Sequence, residues 1–178
     1  FALGLTLGER DGAPAARACV ITTSGSAVTH LYPAISEAFY SRLPLVAISA
    51  DRPAELHGVG ASQTMTQKGI FSHHVVEEWD FSSDSAELAS VPGRIARALA
   101  AAAGSPSGTP GPIHLNCAFR DPLTPSDEAE ASTSAQLREN WGRGAEIYPS
   151  QIVREPSVEG VVKSDLATVV IAGHGAQD

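Results

Sequence analysis
Apolar residues recur along the chain in two rhythms. β-branched and aliphatic runs at 19–23 and 45–50 have the composition of buried strands, and 113–119 alternates as a strand with two distinct faces. Between the first two runs, Ala27, Val28, Leu31, Ala34, Ile35, Ala38 and Phe39 repeat at intervals of three and four, which predicts a helix with one apolar face. The turn Thr23-Ser24-Gly25-Ser26 ahead of it carries hydroxyl oxygens that can cap free N–H groups. The second run stops abruptly at Asp51-Arg52-Pro53. Strand, helix and strand with a polar signature at each strand's carboxyl end make a βαβ unit, and open parallel sheets bind ligands at that edge. The predicted fold class is α/β, a parallel sheet flanked by helices.

Further along, Gly58, Gly60 and Gly69 interrupt any long helix, and 65–71 is read as one short turn. Val75-Val76 and 79–81 suggest an extended segment. The strongest helical pattern covers 88–103, with Val91, Ile95, Ala98, Leu99 and Ala102 on one face; Pro92 and Gly93 blur its first turn. Residues 1–8 have a helical pattern and 9–16 read as a loop. From 126 to 164 the composition turns acidic and serine-rich, the character of a linker that Trp141 and Tyr148 could anchor, and 166–178 reads as a new strand and turn. The expected organisation is therefore a partial domain at 1–125, a linker at 126–165 and the start of another domain at 166–178, a piece of a longer chain.

Composition removes whole classes of function. A net charge of −8 over 178 residues argues against a nucleic-acid partner, which needs a basic face. No apolar run approaches a membrane span. The two cysteines, Cys19 and Cys117, fall in strands expected to be buried, so they read as reduced core residues of a cytoplasmic protein. The neighbouring His73 and His74 would point to opposite sides of an extended chain with no third ligand close by, so they are read as loop residues rather than a metal site. His30 and His114 are read as structural. Ser24 lacks the Gly-x-Ser-x-Gly elbow of an acyl-transfer nucleophile.

The polar signatures carry the candidate chemistry. Thr23-Ser24-Gly25 before an amphipathic helix, Pro44-Leu45-Val46-Ala47-Ile48-Ser49, Gln63, and Gly111-Pro112-Ile113-His114-Leu115-Asn116 together resemble the pyrimidine-binding domain of thiamine-diphosphate enzymes. The stretch from Ala50-Asp51-Arg52-Pro53 to Leu56, then Gly60-Ala61-Ser62-Gln63-Thr64 and the run beginning Asn116-Cys117, is similar to the branch of that family acting in menaquinone synthesis. The resemblance implies a transferase that decarboxylates 2-oxoglutarate on thiamine diphosphate with Mg²⁺ and adds the product to isochorismate, working as a homodimer or homotetramer. It assigns Ser24 and Gly25 to the cofactor, Arg52 to a substrate carboxylate, and Gln63 to the substrate and the reacting carbon.

Each residue also has a plainer reading. Arg52 can grip a carboxylate bidentately or brace Asp51. Gln63 is otherwise an exposed loop amide. Ser24 and Gly25 can bring backbone amides near a flat ring or serve only as a helix cap. By the same resemblance, the family's catalytic glutamate would precede residue 1; Glu9 and Glu37 do not occupy its position. The diphosphate motif, Gly-Asp-Gly followed by Asn, is not in this sequence. The chain alone is accordingly expected to be inactive and a poor binder of cofactor, with Ser24, Gly25 and Gln63 on an exposed intersubunit edge. Two other readings remain open: an acetolactate-synthase-like carboligase, or a non-catalytic domain that binds a partner.

Overall fold
The computed structural model describes residues 18–124 and the single position Ala135. Four strands form one parallel sheet: β1 (Cys19–Thr22), β2 (Val46–Asp51), β3 (Glu77–Phe81) and β4 (Ile113–Ala118), in the order β1-β2-β4-β3. Two α-helices make the crossovers, α1 (Tyr32–Tyr40) between β1 and β2 and α2 (Val91–Ala102) between β3 and β4. The chain crosses the sheet in opposite directions in these two units. Right-handed crossovers then demand helices on opposite faces, and two separate apolar clusters meet that demand. Val28, Ile35 and Ala38 pack with Leu45, Ala47 and Phe71 on one face. Ala98 and Ala102 pack with Val46, Ile113, Leu115 and Phe81 on the other. Burying each large side chain of these clusters contributes about 1.5–3 kcal/mol.

The predicted helices exist, but each is divided. A 3₁₀ segment, Gly25–Leu31, precedes α1, and another, Ser85–Ser90, precedes α2. In both cases a proline, Pro33 or Pro92, occupies the first turn of the α-helix. Proline has no N–H to give to the residue four before it, so the α ladder cannot run through that point. Asp84 caps the second 3₁₀ segment by accepting from the Ala86 amide at 2.9 Å.

Two expectations are corrected. β1 is not buried: Cys19 is exposed and Ile21 is 75% exposed, because β1 has β2 as its only neighbour in the described sheet. The Ser24 hydroxyl caps nothing, although Ser24 occupies the N-cap position. The short turn expected at 65–71 is present, closed by the Ile70 amide on the Gln67 carbonyl at 3.0 Å, and a 3₁₀ turn at Ser72–His74 follows it. The helix at 1–8, the loop at 9–16, the linker with Trp141 and Tyr148, and the strand after 166 lie outside the described residues. Among the described residues no helix is long and apolar enough to cross a membrane, and no cluster of three or more His, Cys, Asp or Glu could hold a metal ion.

Candidate functional site
The carboxyl ends of the central strands β2 and β4 open onto a cleft of about 460 Å³. Asp51, Arg52, Gln67, Lys68, Asp80 and Asn116 are among its lining residues. The carboxyl edge of an open parallel sheet is where such folds bind ligands.

Three of the four predicted site residues come together at the neighbouring edge. Gln63 folds back over the turn after β1, its Nε2 donating to Thr23 Oγ1 and to the Ser24 carbonyl, both at 3.0 Å. Those bonds hold Gln63 at φ 60°, a left-handed conformation that a residue with a side chain adopts at a cost. Gly25 beneath it also has positive φ, and a Cβ there would stand 3.0 Å from Gln63 Cγ and 3.2 Å from its carbonyl oxygen. Only glycine satisfies both the backbone angle and the close approach.

This packing changes the expected picture of the turn. Ser24 and Gly25 are buried rather than exposed, because Gln63 covers them; Gln63 itself is exposed. The Gly25 amide donates to Gln67 Oε1 at 2.7 Å and is therefore already committed. Ser24 Oγ, by contrast, is buried with no hydrogen-bond partner. An orphan buried hydroxyl costs about 1–3 kcal/mol, which a ligand able to bond it would recover.

Arg52 stands at the end of β2. Its backbone is clamped: the amide donates to Asp51 Oδ1 at 2.7 Å, and its carbonyl lies 3.0 Å from His57 Nε2. The guanidinium does not brace Asp51. Its one hydrogen bond among the described residues runs from Nε to the Ser62 carbonyl at 3.4 Å, which brings it beside Gln63. No described carboxylate lies within ion-pair distance of it. Arg52 also borders a second cleft of about 400 Å³, with Phe119, Arg120 and Leu123 on the far side. There Arg120 is held by Glu55 through paired hydrogen bonds, and that guanidinium keeps the Glu55 carboxyl down at about 2.

Behind these residues lies a buried polar network. Asn116 Nδ2 donates to Asp51 Oδ2 at 2.8 Å and to Asp80 Oδ1 at 3.0 Å. Asn116 Oδ1 accepts from Ser49 Oγ at 2.8 Å and from Gln67 Nε2 at 2.9 Å. Two carboxylates on one side fix which end of the Asn116 amide is nitrogen. Ser49 therefore donates to Asn116 and must accept from His114 Nε2, 2.8 Å away. His114 is fully buried against Phe71, and its Nδ1 faces Glu78 Oε1 at 3.5 Å without a hydrogen bond. Burial alone would raise the Glu78 carboxyl; His114, the Gly69 amide and Lys68 outweigh it and hold it below the usual range.

Of this network, the sequence flagged Ser49 and Asn116 only within motifs, Asp51 there and as a possible brace for Arg52, and His114 there and as a structural residue. A findable signal existed: Ser49 and Asn116 are polar interruptions in apolar strands, and they are register partners. Gln67 gave none, since it sits in an irregular stretch. His73 is exposed in the 3₁₀ turn, and His74 Nδ1 meets the Tyr32 hydroxyl at 2.9 Å, so both stay outside the site. Cys117 is free and half-buried, and burial pushes its thiol up.

Sequence comparison relates the chain to known proteins. Residues 11–71 match the family described as "Thiamine pyrophosphate enzyme, N-terminal TPP binding domain". The matched stretch contains β1, α1, β2 and the turn with Ser24, Gly25 and Gln63, and the four-stranded parallel sheet is consistent with an α/β domain of that class. The chain is also similar to 2-succinyl-5-enolpyruvyl-6-hydroxy-3-cyclohexene-1-carboxylate synthases. It is 43% identical to that of Paenarthrobacter aurescens (strain TC1) over 98% of this chain and 28% of the relative. The corresponding figures are 43%, 98% and 27% for Arthrobacter sp. (strain FB24), and 42%, 99% and 32% for Mycobacterium marinum (strain ATCC BAA-535 / M). The chain thus spans about 27–32% of the length of the curated relatives it matches.

Proposed function
We propose that this chain is part of a synthase that decarboxylates 2-oxoglutarate on thiamine diphosphate and adds the resulting four-carbon unit to isochorismate. The observation that carries the reading is the Arg52 guanidinium. It projects from a clamped backbone at the carboxyl edge of β2, beside Gln63, with no described carboxylate to neutralise it. A planar guanidinium left open in this way matches substrates that are carboxylates.

The turn after β1 fits the polar edge of the cofactor's pyrimidine. Ser24 supplies an unpaired buried hydroxyl, and Gly25 allows Gln63 to close over the turn. When bound, thiamine diphosphate supplies the electron sink for loss of CO₂; the protein's part is to orient the reactants and exclude water. Mg²⁺ and the cofactor's phosphates belong, in this reading, to a part of the parent outside the described residues. A homo-oligomer in the cytoplasm, with the Gln63 edge facing another domain, completes it. The domain boundaries at 125 and 165 are proposed on the same resemblance.

Arg52→Lys in the full-length parent tests the proposal. An ammonium cannot reproduce two parallel hydrogen bonds, so the loss is about 1.5–3 kcal/mol, on the order of tenfold to a hundredfold in kcat/KM. Tm should hardly move, since the guanidinium supports no core packing. Wild-type kcat/KM for both 2-oxoglutarate and isochorismate in the variant overturns the assignment.

A further inference from the structure
We infer that Gln67 is a positioning residue that ties the cofactor turn and the substrate arginine into one mechanical unit. The inference rests on the functional reading above for the meaning of the two ends, and on the hydrogen bonds for the link itself.

The link is continuous. From the turn, the Gly25 amide donates to Gln67 Oε1 at 2.7 Å. Gln67 Nε2 then donates to the Ala50 carbonyl at 2.8 Å and to Asn116 Oδ1 at 2.9 Å. Asn116 Nδ2 reaches Asp51 Oδ2 at 2.8 Å, and the other oxygen of Asp51 receives the Arg52 amide at 2.7 Å. Four hydrogen bonds through three side chains therefore connect the backbone beside Ser24 to the backbone of Arg52.

Satisfaction of the two amides makes the link stiff. Both protons of Gln67 Nε2 and both of Asn116 Nδ2 are donated, and both lone-pair sites of Asn116 Oδ1 are filled, by Gln67 and Ser49. Gln67 is fully buried, so no solvent competes for these bonds. In such surroundings an amide has one orientation; turning it over would set N–H against N–H and oxygen against oxygen. A shift of the turn when cofactor binds is thus passed to Asp51 and Arg52, and a carboxylate gripping Arg52 is felt at Gly25. Gln67 touches neither ligand in this scheme.

The experiment uses the full-length parent protein and two readouts. The first is hydrogen–deuterium exchange at Gly25 without ligand. In wild type the Gly25 amide should exchange as slowly as the amides of β2. In Gln67→Met, which keeps the length but removes the acceptor, exchange should accelerate about tenfold or more, on the order set by loss of a buried hydrogen bond. The second is a double-mutant cycle on kcat/KM with Gln67→Met and Arg52→Lys. Their combined loss should be smaller than the product of the single losses by about threefold or more, because each already breaks the same unit.

Fast exchange at Gly25 in wild type overturns the inference even if Gln67→Met does not fold. So do unaltered exchange in a folded Gln67→Met protein, or losses that multiply independently. A merely structural Gln67 would lower Tm and leave the cycle multiplicative. If the parent forms no product from 2-oxoglutarate and isochorismate, the functional reading fails, while the exchange result still judges the link.

Discussion

The two faces of the sheet are made from the same strands and built on different chemistry. Reading across β2, β4 and β3 in register, the α2 side carries Ile48, Leu115 and Trp79, then Ala50, Cys117 and Phe81. The α1 side carries Ala47, His114 and Glu78, then Ser49, Asn116 and Asp80. One face is a hydrophobic layer that any residues of similar volume would fill. The other turns polar toward the carboxyl edge, where every group needs a particular partner at a particular place. The first holds the domain together, and the second shapes the edge at which ligand binding is proposed.

The sharpest way to break this comparison is Asn116→Leu. The new side chain is apolar and of similar size, so on the α2 face such a change would be tolerated. Here it strips a donor from Asp51, which is only 6% exposed, and from Asp80. Asp51 left short in a buried place should cost about 3–5 kcal/mol, seen as a large drop in the midpoint of urea unfolding, while Asp80, 31% exposed and paired with Lys68, adds little. A loss below about 1 kcal/mol would mean that the polar face is packing in disguise.

A smaller change sharpens the contrast from the other side. Ile113→Val removes one methylene from a fully buried position on the α2 face of the same strand. The expected cost is about 0.5–1.5 kcal/mol in unfolding free energy, with cofactor binding of the parent unaltered. A loss of cofactor binding in Ile113→Val would show that the faces are not separable.

The same contrast explains what the sequence made legible. Strands β2 and β4 and the apolar stripes of both helices follow from periodicity, because burial acts on each residue separately. So does the stripe Val91, Ile95, Ala98, Leu99 and Ala102, which packs on the sheet as its spacing predicts. The exposure of β1 was not legible, since strand order is not written in a strand's own residues. Nor was the polar network: the Gly25–Gln67 bond joins residues 42 apart in sequence, and it exists only once the register is set. The edge was legible at Arg52 and Gln63 through their motifs. The burial of Ser24 and Gly25 was not, because it depends on Gln63 folding back across them.

The smallest expected effect lies outside both faces, at the Glu55–Arg120 pair. Its hydrogen bonds with Arg120 hold the Glu55 carboxyl at about 2, below its ordinary 4.5, yet the group is exposed. A carboxyl lowered on folding contributes stability above its ordinary value, and that contribution fades as pH falls from about 4.5 towards 2. Solvent and salt screen an exposed pair, so the contribution is slight even where it is complete. Glu55→Gln should therefore lower Tm only marginally at neutral pH in dilute buffer, and the difference from wild type should vanish both in molar salt and in strong acid. The variant has a second use, because it frees Arg120 at the rim of the cleft that Arg52 also borders. If Glu55 does no more than neutralise that arginine, kcat/KM of the parent should hold or rise slightly for carboxylate substrates. A marked loss of Tm at neutral pH that survives molar salt would contradict the screened surface pair and assign Glu55 a packing role instead.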